Sequence, residues 1–223
     1  MATISLPKVV AYRQPIVSAP LEALPAFFGR DVQGLIGTPF LKNFVIEIDY
    51  AAKTLTFYDP KVYNLSRERE AIEMQDRNGF PFVPVELSLN GRDSFTDWFE
   101  IDTGSNRIFQ TNRPFAEAHQ ILMALPKSNQ VESVGEGIGG KVKFIEARIR
   151  SLRLGRYTIS NPVVSISQDS AGFGAGTDAG VIGGEVLRRF TIILDYQSNR
   201  IWLKPNAHFK KPYEIDMSGL ELK

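Results

Sequence analysis

A chain of 223 residues, 43% hydrophobic and 23% charged, is long enough for one large or two small domains with a buried core. Its formal charge of +1 lacks the one-signed surplus of a nucleic-acid or anionic-membrane binder. Cysteine is absent, which excludes disulfides, thiol catalysis and thiolate metal sites. No apolar run approaches a membrane span, and the N-terminus lacks the basic start and apolar stretch of a signal peptide.

In chain order, the first patterned region runs from Gly34 to Tyr58. A short apolar strand meets a glycine, one or two helical turns follow through Phe40, Leu41 and Phe44, and a hairpin forms around Asp49-Tyr50. Lys61 to Asn78 is charged and poor in apolar periodicity; it reads as a linker with a short helix. From Phe80 the pattern turns to strands. Phe82, Val83, Val85, Leu87 and Leu89 largely alternate up to the turn residues Asn90-Gly91, and Trp98-Phe99-Glu100-Ile101 reads as a strand that ends at Asp102-Thr103-Gly104-Ser105. Asn112 and Pro114 mark a helix start, with Phe115, Ala118, Ile121 and Leu122 on one face. Glycines cluster at 135–140, and Val142 to Leu154 reads as long strands.

The last region is a repeat of the first. GLIGTPFLKNFVIEIDYAAKTLTFY (34–58) recurs 146 positions later, without a gap, as GVIGGEVLRRFTIILDYQSNRIWLK (180–204). Gly34/Gly180, Ile36/Ile182, Gly37/Gly183, Leu41/Leu187, Phe44/Phe190, Ile46/Ile192, Asp49/Asp195 and Tyr50/Tyr196 are identical pairs. Upstream, Gln14 to Ser18 faces Asn161 to Ser165 at an offset of 147. A period this long means two copies of a lobe. The second copy has Asp102 upstream of it, whereas the corresponding place in the first falls before residue 1. The chain therefore carries one Asp-Thr-Gly, and the first lobe is expected only as its C-terminal portion.

Other polar residues have plainer readings. Asp49, Asp195 and Asp178 are expected as turn carboxylates. The glycines of Gly172-x-Gly174-x-Gly176 lack the strand–loop–helix setting of a phosphate cradle and read as a connector. His119 and His208 have no spaced partners, so no metal site is expected. Trp98 is expected in the core, and Lys204, Lys210 and Lys211 are too few for a nucleic-acid patch.

FEIDTGSNRIF (99–109), the hairpin EGIGGKV (136–142) and AGVIGG (179–184) stand in the order found in retropepsin-like aspartic proteases. The chain resembles the bacterial two-lobed branch of that family, in which a PDZ module often follows, and its tail from Pro205 to Leu220 resembles the segment before that module. The resemblance implies a mainly β fold: a retropepsin-like closed β-barrel lobe of six or seven strands with short helices, at 80–206. A partial β-rich lobe at 1–60, a linker at 61–79 and a tail at 207–223 complete the expected organisation. It also implies roles for residues. Asp102 matches the catalytic aspartate, and Thr103 the hydroxyl that bonds to the partner lobe's loop. Gly104 matches the close backbone approach to the carboxylate, and Ser105 the hydroxyl that supports the outer aspartate oxygen. Gly137, Ile138, Gly139 and Gly140 match the flap hairpin that covers substrate, and Ile182-Gly183 the element packed beneath the active loop.

The implied activity is endopeptidase cleavage of a peptide or protein substrate without a cofactor, in an exported, periplasmic setting. Such chemistry needs a pair of carboxylates, so the second is expected from an N-terminal half-lobe or from a second subunit. Two other readings stand beside it: a non-catalytic peptide-binding or dimerisation module, favoured by the single aspartate, and a small-ligand domain built on the glycine-rich loop.

Overall fold

Alternating apolar residues make this chain a sheet protein, and the computed structural model describes residues 1–18, 21, 25, 29, 31–64, 70–91, 94–137, 140–170 and 172–213. The first strands are β1 (Ala2–Leu6), β2 (Val9–Gln14), β3 (Val45–Asp49), β4 (Thr54–Tyr58), β5 (Ile72–Glu73) and β6 (Gln75–Arg77). Next come β7 (Phe80–Ser88), β8 (Ser94–Ile101), β9 (Phe109–Thr111), β10 (Val131–Gly137) and β11 (Gly140–Arg148). The remainder are β12 (Ser151–Leu154), β13 (Tyr157–Ser160), β14 (Val163–Ser167), β15 (Gly180–Ile182), β16 (Phe190–Asp195) and β17 (Arg200–Pro205). Among the described residues four short α-helices interrupt them: α1 (Thr38–Leu41), α2 (Arg113–Ala118), α3 (Ile121–Ala124) and α4 (Gly184–Leu187).

Among the described residues ten strands form one sheet in the order β10-β11-β14-β9-β15-β8-β7-β12-β13, with β6 added beside β7. The long hairpin of residues 140–167 stands at both ends of this path. Its half nearest the turn between β12 and β13 pairs with β7, and its other half, β11 and β14, pairs with β10 and β9. The sheet therefore rolls round a core that includes Val83, Phe99, Phe109, Leu152 and Ile182. It does not close. β10 and β13 end the hydrogen-bonded path, so the closed barrel expected from the sequence is an open, rolled sheet. Val134 on β10 is 60% exposed, as suits an edge that faces solvent.

A second sheet, β4-β3-β16-β17-β5, joins the two copies of the repeat. β3 and β16 run antiparallel, with Thr191 opposite Asp49, Ile193 opposite Glu47 and Asp195 opposite Val45. Glu47 and Ile193 are equivalent positions of the repeat. Each therefore faces its own counterpart, and the register is symmetric on either side of them. The sequence duplication thus reappears as a pseudo-two-fold axis through the middle of this sheet. Asp49 and Asp195 behave as expected and alike: one carboxylate oxygen accepts the N–H groups of Ala51 and Ala52, or of Gln197 and Ser198.

Three local expectations change. The segment read as a linker holds β5, paired with β17, and β6, paired with β7, where a short helix was expected. Short-range pattern is a poor guide there because the edges of two sheets supply the hydrogen bonds. Trp98 is half-buried and lies outside the core. Phe99 and Ile101 take the inward face of β8, so period two turns Trp98 and Glu100 outward, where the Arg77 guanidinium lies 5.5 Å from the indole. The helix from Arg113 breaks in two, with Gln120 at φ +51° between α2 and α3. Ring contacts among Phe95, Phe99, Phe115 and the exposed His119 anchor its first half.

Candidate active site

β15 fixes the Asp102 turn from both sides. It runs parallel to β8, with Ile182 opposite Ile101, and antiparallel to β9, with Ile182 opposite Phe109. The chain leaves β8 at Ile101, turns through residues 102–108, and returns on the far side of β15. Ile182 is fully buried, which contributes roughly 1.5–3 kcal/mol to holding the three strands together. Backbone bonds then lock the turn. The Asp102 N–H donates to the Ile182 carbonyl at 3.0 Å, Gly183 N–H to Ile108 at 3.1 Å, Gly184 N–H to Ser105 at 2.7 Å, and Glu185 N–H to Arg107 at 3.1 Å.

This close approach explains Gly183. A Cβ there would lie 2.2 Å from the Arg107 carbonyl oxygen and 3.0 Å from Ser105 Oγ, and its φ of −92° needs no glycine for conformational reasons. Gly104 is set by the same crowding. Its N–H donates to Asp102 Oδ1 at 2.8 Å, and a Cβ would stand 3.2 Å from that oxygen. The Asp102 carboxylate is thus oriented from one side by its own turn and remains partly open to solvent.

The other sequence-predicted residues are placed as follows. Thr103 is exposed, and its hydroxyl makes no hydrogen bond among the described residues. Ser105 Oγ accepts the Arg107 N–H at 3.2 Å, and no hydrogen bond joins it to Asp102 among the described residues. Gly137 and Gly140 are paired at the end of the β10/β11 hairpin, and Gly140 has φ +99°. Ile138 and Gly139 lie outside the described residues. Ile182 and Gly183 sit beneath the turn as anticipated.

Two residues near Asp102 went unnoticed in the sequence. Glu100 lies two positions upstream on the same outward face of β8; burial, then the charges of Asp102 and Asp178, push its carboxyl up to about 7. Period two in a strand already placed both acids on one face. Tyr50, on the first copy, has its hydroxyl pushed up to about 12 by burial and then by Asp102. That hydroxyl is buried and has no hydrogen-bond partner among the described residues. Nothing in the local pattern marks Tyr50, because only the pairing of β3 with β16 brings the first copy beside Asp102. Among the described residues no group of three or more histidines or acids is arranged to hold a metal ion. Nor is any helix among the described residues long and apolar enough to cross a membrane.

The chain is similar in fold to retropepsin-like aspartic proteases. A retropepsin-like aspartic protease from Rickettsia conorii matches at 16% identity and a TM-score of 0.39, over 62% of this chain and all of that one. An aspartic proteinase from Irpex lacteus matches at 16% identity and 0.36, over 52% of this chain and 31% of its own. Basic 7S globulin from soybean matches at 14% and 0.36, over 82% of this chain and 53% of its own. No family model matches, and no curated protein matches in sequence. At these identities and scores none of the likenesses assigns chemistry to this chain; that falls to the residues around Asp102.

Among the described residues the first copy packs beneath no such turn. Leu35 and Ile36 are 57% and 47% exposed, against 5% and 0% for their counterparts Val181 and Ile182. A Cβ on Gly37 would meet only Pro39 Cδ, at 3.7 Å.

Proposed function

We propose that this chain is the Asp102-bearing part of an aspartic-type endopeptidase. The observation that carries the reading is the setting of Asp102. It is a partly open carboxylate at the end of a buried strand, with Gly104 N–H on one oxygen and a backbone locked by four hydrogen bonds to residues 182–185.

In this reading Asp102 works with a second carboxylate ~3 Å away; both cannot ionise, so the pair holds one proton. The ionised member takes a proton from water as it attacks, and the protonated member hydrogen-bonds the scissile carbonyl. The titration belongs to the pair. The partner acid comes from a strand and turn seated on Leu35-Ile36-Gly37, supplied by an N-terminal half-lobe or by a second subunit. The pseudo-two-fold relation sets that seat opposite Asp102, beside Tyr196, the counterpart of Tyr50. An extended peptide would lie below the β10/β11 hairpin and bond to it as an added strand. Export to a periplasm belongs to the same proposal and rests on the sequence resemblance.

A pepstatin-type inhibitor tests the site directly. Protein that carries the partner carboxylate should gain thermal stability with inhibitor, and Asp102→Asn should remove the gain while leaving the unliganded melting temperature within a few degrees. An equal shift in Asp102→Asn would take Asp102 out of the site. The exposed apolar side chains of the first copy favour a second reading, a non-catalytic module that associates through that face. It is supported if the chain forms concentration-dependent dimers or binds peptides with no hydrolysis at any concentration.

A further inference from the structure

Arg107 leaves the Asp102 turn and enters the base of the β10/β11 hairpin. Its Nη1 donates to Glu146 Oε1 at 2.8 Å and to Ser165 Oγ at 3.1 Å, and its guanidinium carbon lies 3.8 Å from the centre of the Phe144 ring. Glu146 is only 8% exposed and is fully engaged. Ser133 Oγ donates to its Oε1 at 2.7 Å and Ser165 Oγ to its Oε2 at 2.7 Å. Ser133 belongs to β10, Phe144 and Glu146 to β11, and Ser165 to β14. One guanidinium therefore ties the turn that carries Asp102 to β11 and β14 directly, and to β10 through Glu146.

Gly135 completes the arrangement. A Cβ there would stand 2.0 Å from Arg107 Nη2 and 3.0 Å from both the guanidinium carbon and the Phe144 ring. The first glycine of the 135–140 cluster thus serves as the seat for the arginine. A largely buried ion pair such as this loses much of its charge attraction to desolvation, and burial indeed lowers the Arg107 pKa. Its contribution is therefore directional: it fixes which way two elements face each other, because a planar group lies over the Phe144 ring while its Nη1 bonds Glu146 and Ser165.

We propose that Arg107 is a positioning residue that clamps the β10/β11 hairpin in register over the Asp102 turn. Motion of the hairpin is thereby coupled to that turn through Glu146. The bearing on substrate rests on the protease reading above; the clamp itself does not. Nothing in the hairpin's own pairing requires such a link, since its strands already bond to each other from Val131–Glu146 to Gly137–Gly140.

Hydrogen exchange on the whole chain tests the clamp without reference to activity. In Arg107→Gln, the amides of residues 131–137 and 140–146 should exchange about tenfold faster or more, while those of β7, β12 and β13 keep their wild-type protection. Glu146→Gln, which keeps the side-chain volume, should give the same pattern, and the double variant should be no faster than either single one. Arg107→Lys, which keeps the charge but not the planar group over Phe144, should restore part of the protection. Wild-type protection of the hairpin in Arg107→Gln and Glu146→Gln would overturn the proposal. So would a uniform acceleration over all strands, which marks loss of stability alone. Should Arg107→Gln fail to fold, Glu146→Gln with the same readout decides between these outcomes.

Discussion

In residues 34–58 and 180–204 the same sequence pattern builds the same backbone. The glycine N-caps have φ/ψ of −103°/−178° at Gly37 and −92°/177° at Gly183, and the helix ends have −64°/−8° at Lys42 and −64°/−6° at Arg188. The surroundings nonetheless differ. In the second copy Val163, Val164, Val181 and Ile182 are all at most 5% exposed, whereas their counterparts Ile16, Val17, Leu35 and Ile36 are 47–86% exposed. Local sequence thus sets the turn, the short helix and the hairpin in both places. The presence or absence of a neighbouring strand and turn decides which residues become core.

The largest expected contrast comes from Ile182→Ala against Ile36→Ala. The first removes a fully buried side chain from between β8 and β9 and should cost about 3–4 kcal/mol; the second should cost under about 1 kcal/mol. Chemical denaturation measures both, and equal losses would break the comparison. Gly183→Ala should follow at about 2–3 kcal/mol, because the added methyl meets a rigid carbonyl, while Gly37→Ala should stay within about 1 kcal/mol. The Gly37 result sharpens the contrast further, since the same change should become costly once a partner strand and turn occupy that seat.

Glu100, on the strand that leads to Asp102, gives a pH-dependent effect. Its folded pKa of about 7 lies above the ordinary carboxyl value of 4.5, so between these values the folded chain holds a proton that the unfolded chain has lost. Stability therefore falls as pH rises through that window, and the loss is complete above it. Discounted for its partial exposure, Glu100→Gln should gain about 1–2 kcal/mol at pH 8 and nothing at pH 4. A gain that is the same at both pH values would refute the assignment. The smallest effect is expected at the paired turns. Asp49→Ala and Asp195→Ala should each cost about 1 kcal/mol, with Asp195 slightly worse because Ser198 Oγ also donates to it at 2.6 Å.

Much of this was readable in the residues. The duplication, the turn carboxylates, the strand before Asp102 and the element beneath it all follow from short-range pattern and the repeat. Features that depend on distant segments were not. β5 and β6 form because sheet edges are available to them, and Trp98 turns outward because Phe99 and Ile101 claim the core. Gly135 seats an arginine from a loop 28 positions earlier. Tyr50 reaches the neighbourhood of Asp102 only through the two-fold pairing of β3 with β16.

Hydrolysis of an unfolded protein substrate over a range of acidic pH, by wild type and Asp102→Asn at equal folded concentration, bears most directly on the central claim. Both proteins should first be assembled with whatever segment or subunit supplies the second carboxylate. The account expects new peptide termini from the wild type and none above background from the variant. Cleavage at the wild-type rate by Asp102→Asn would contradict it.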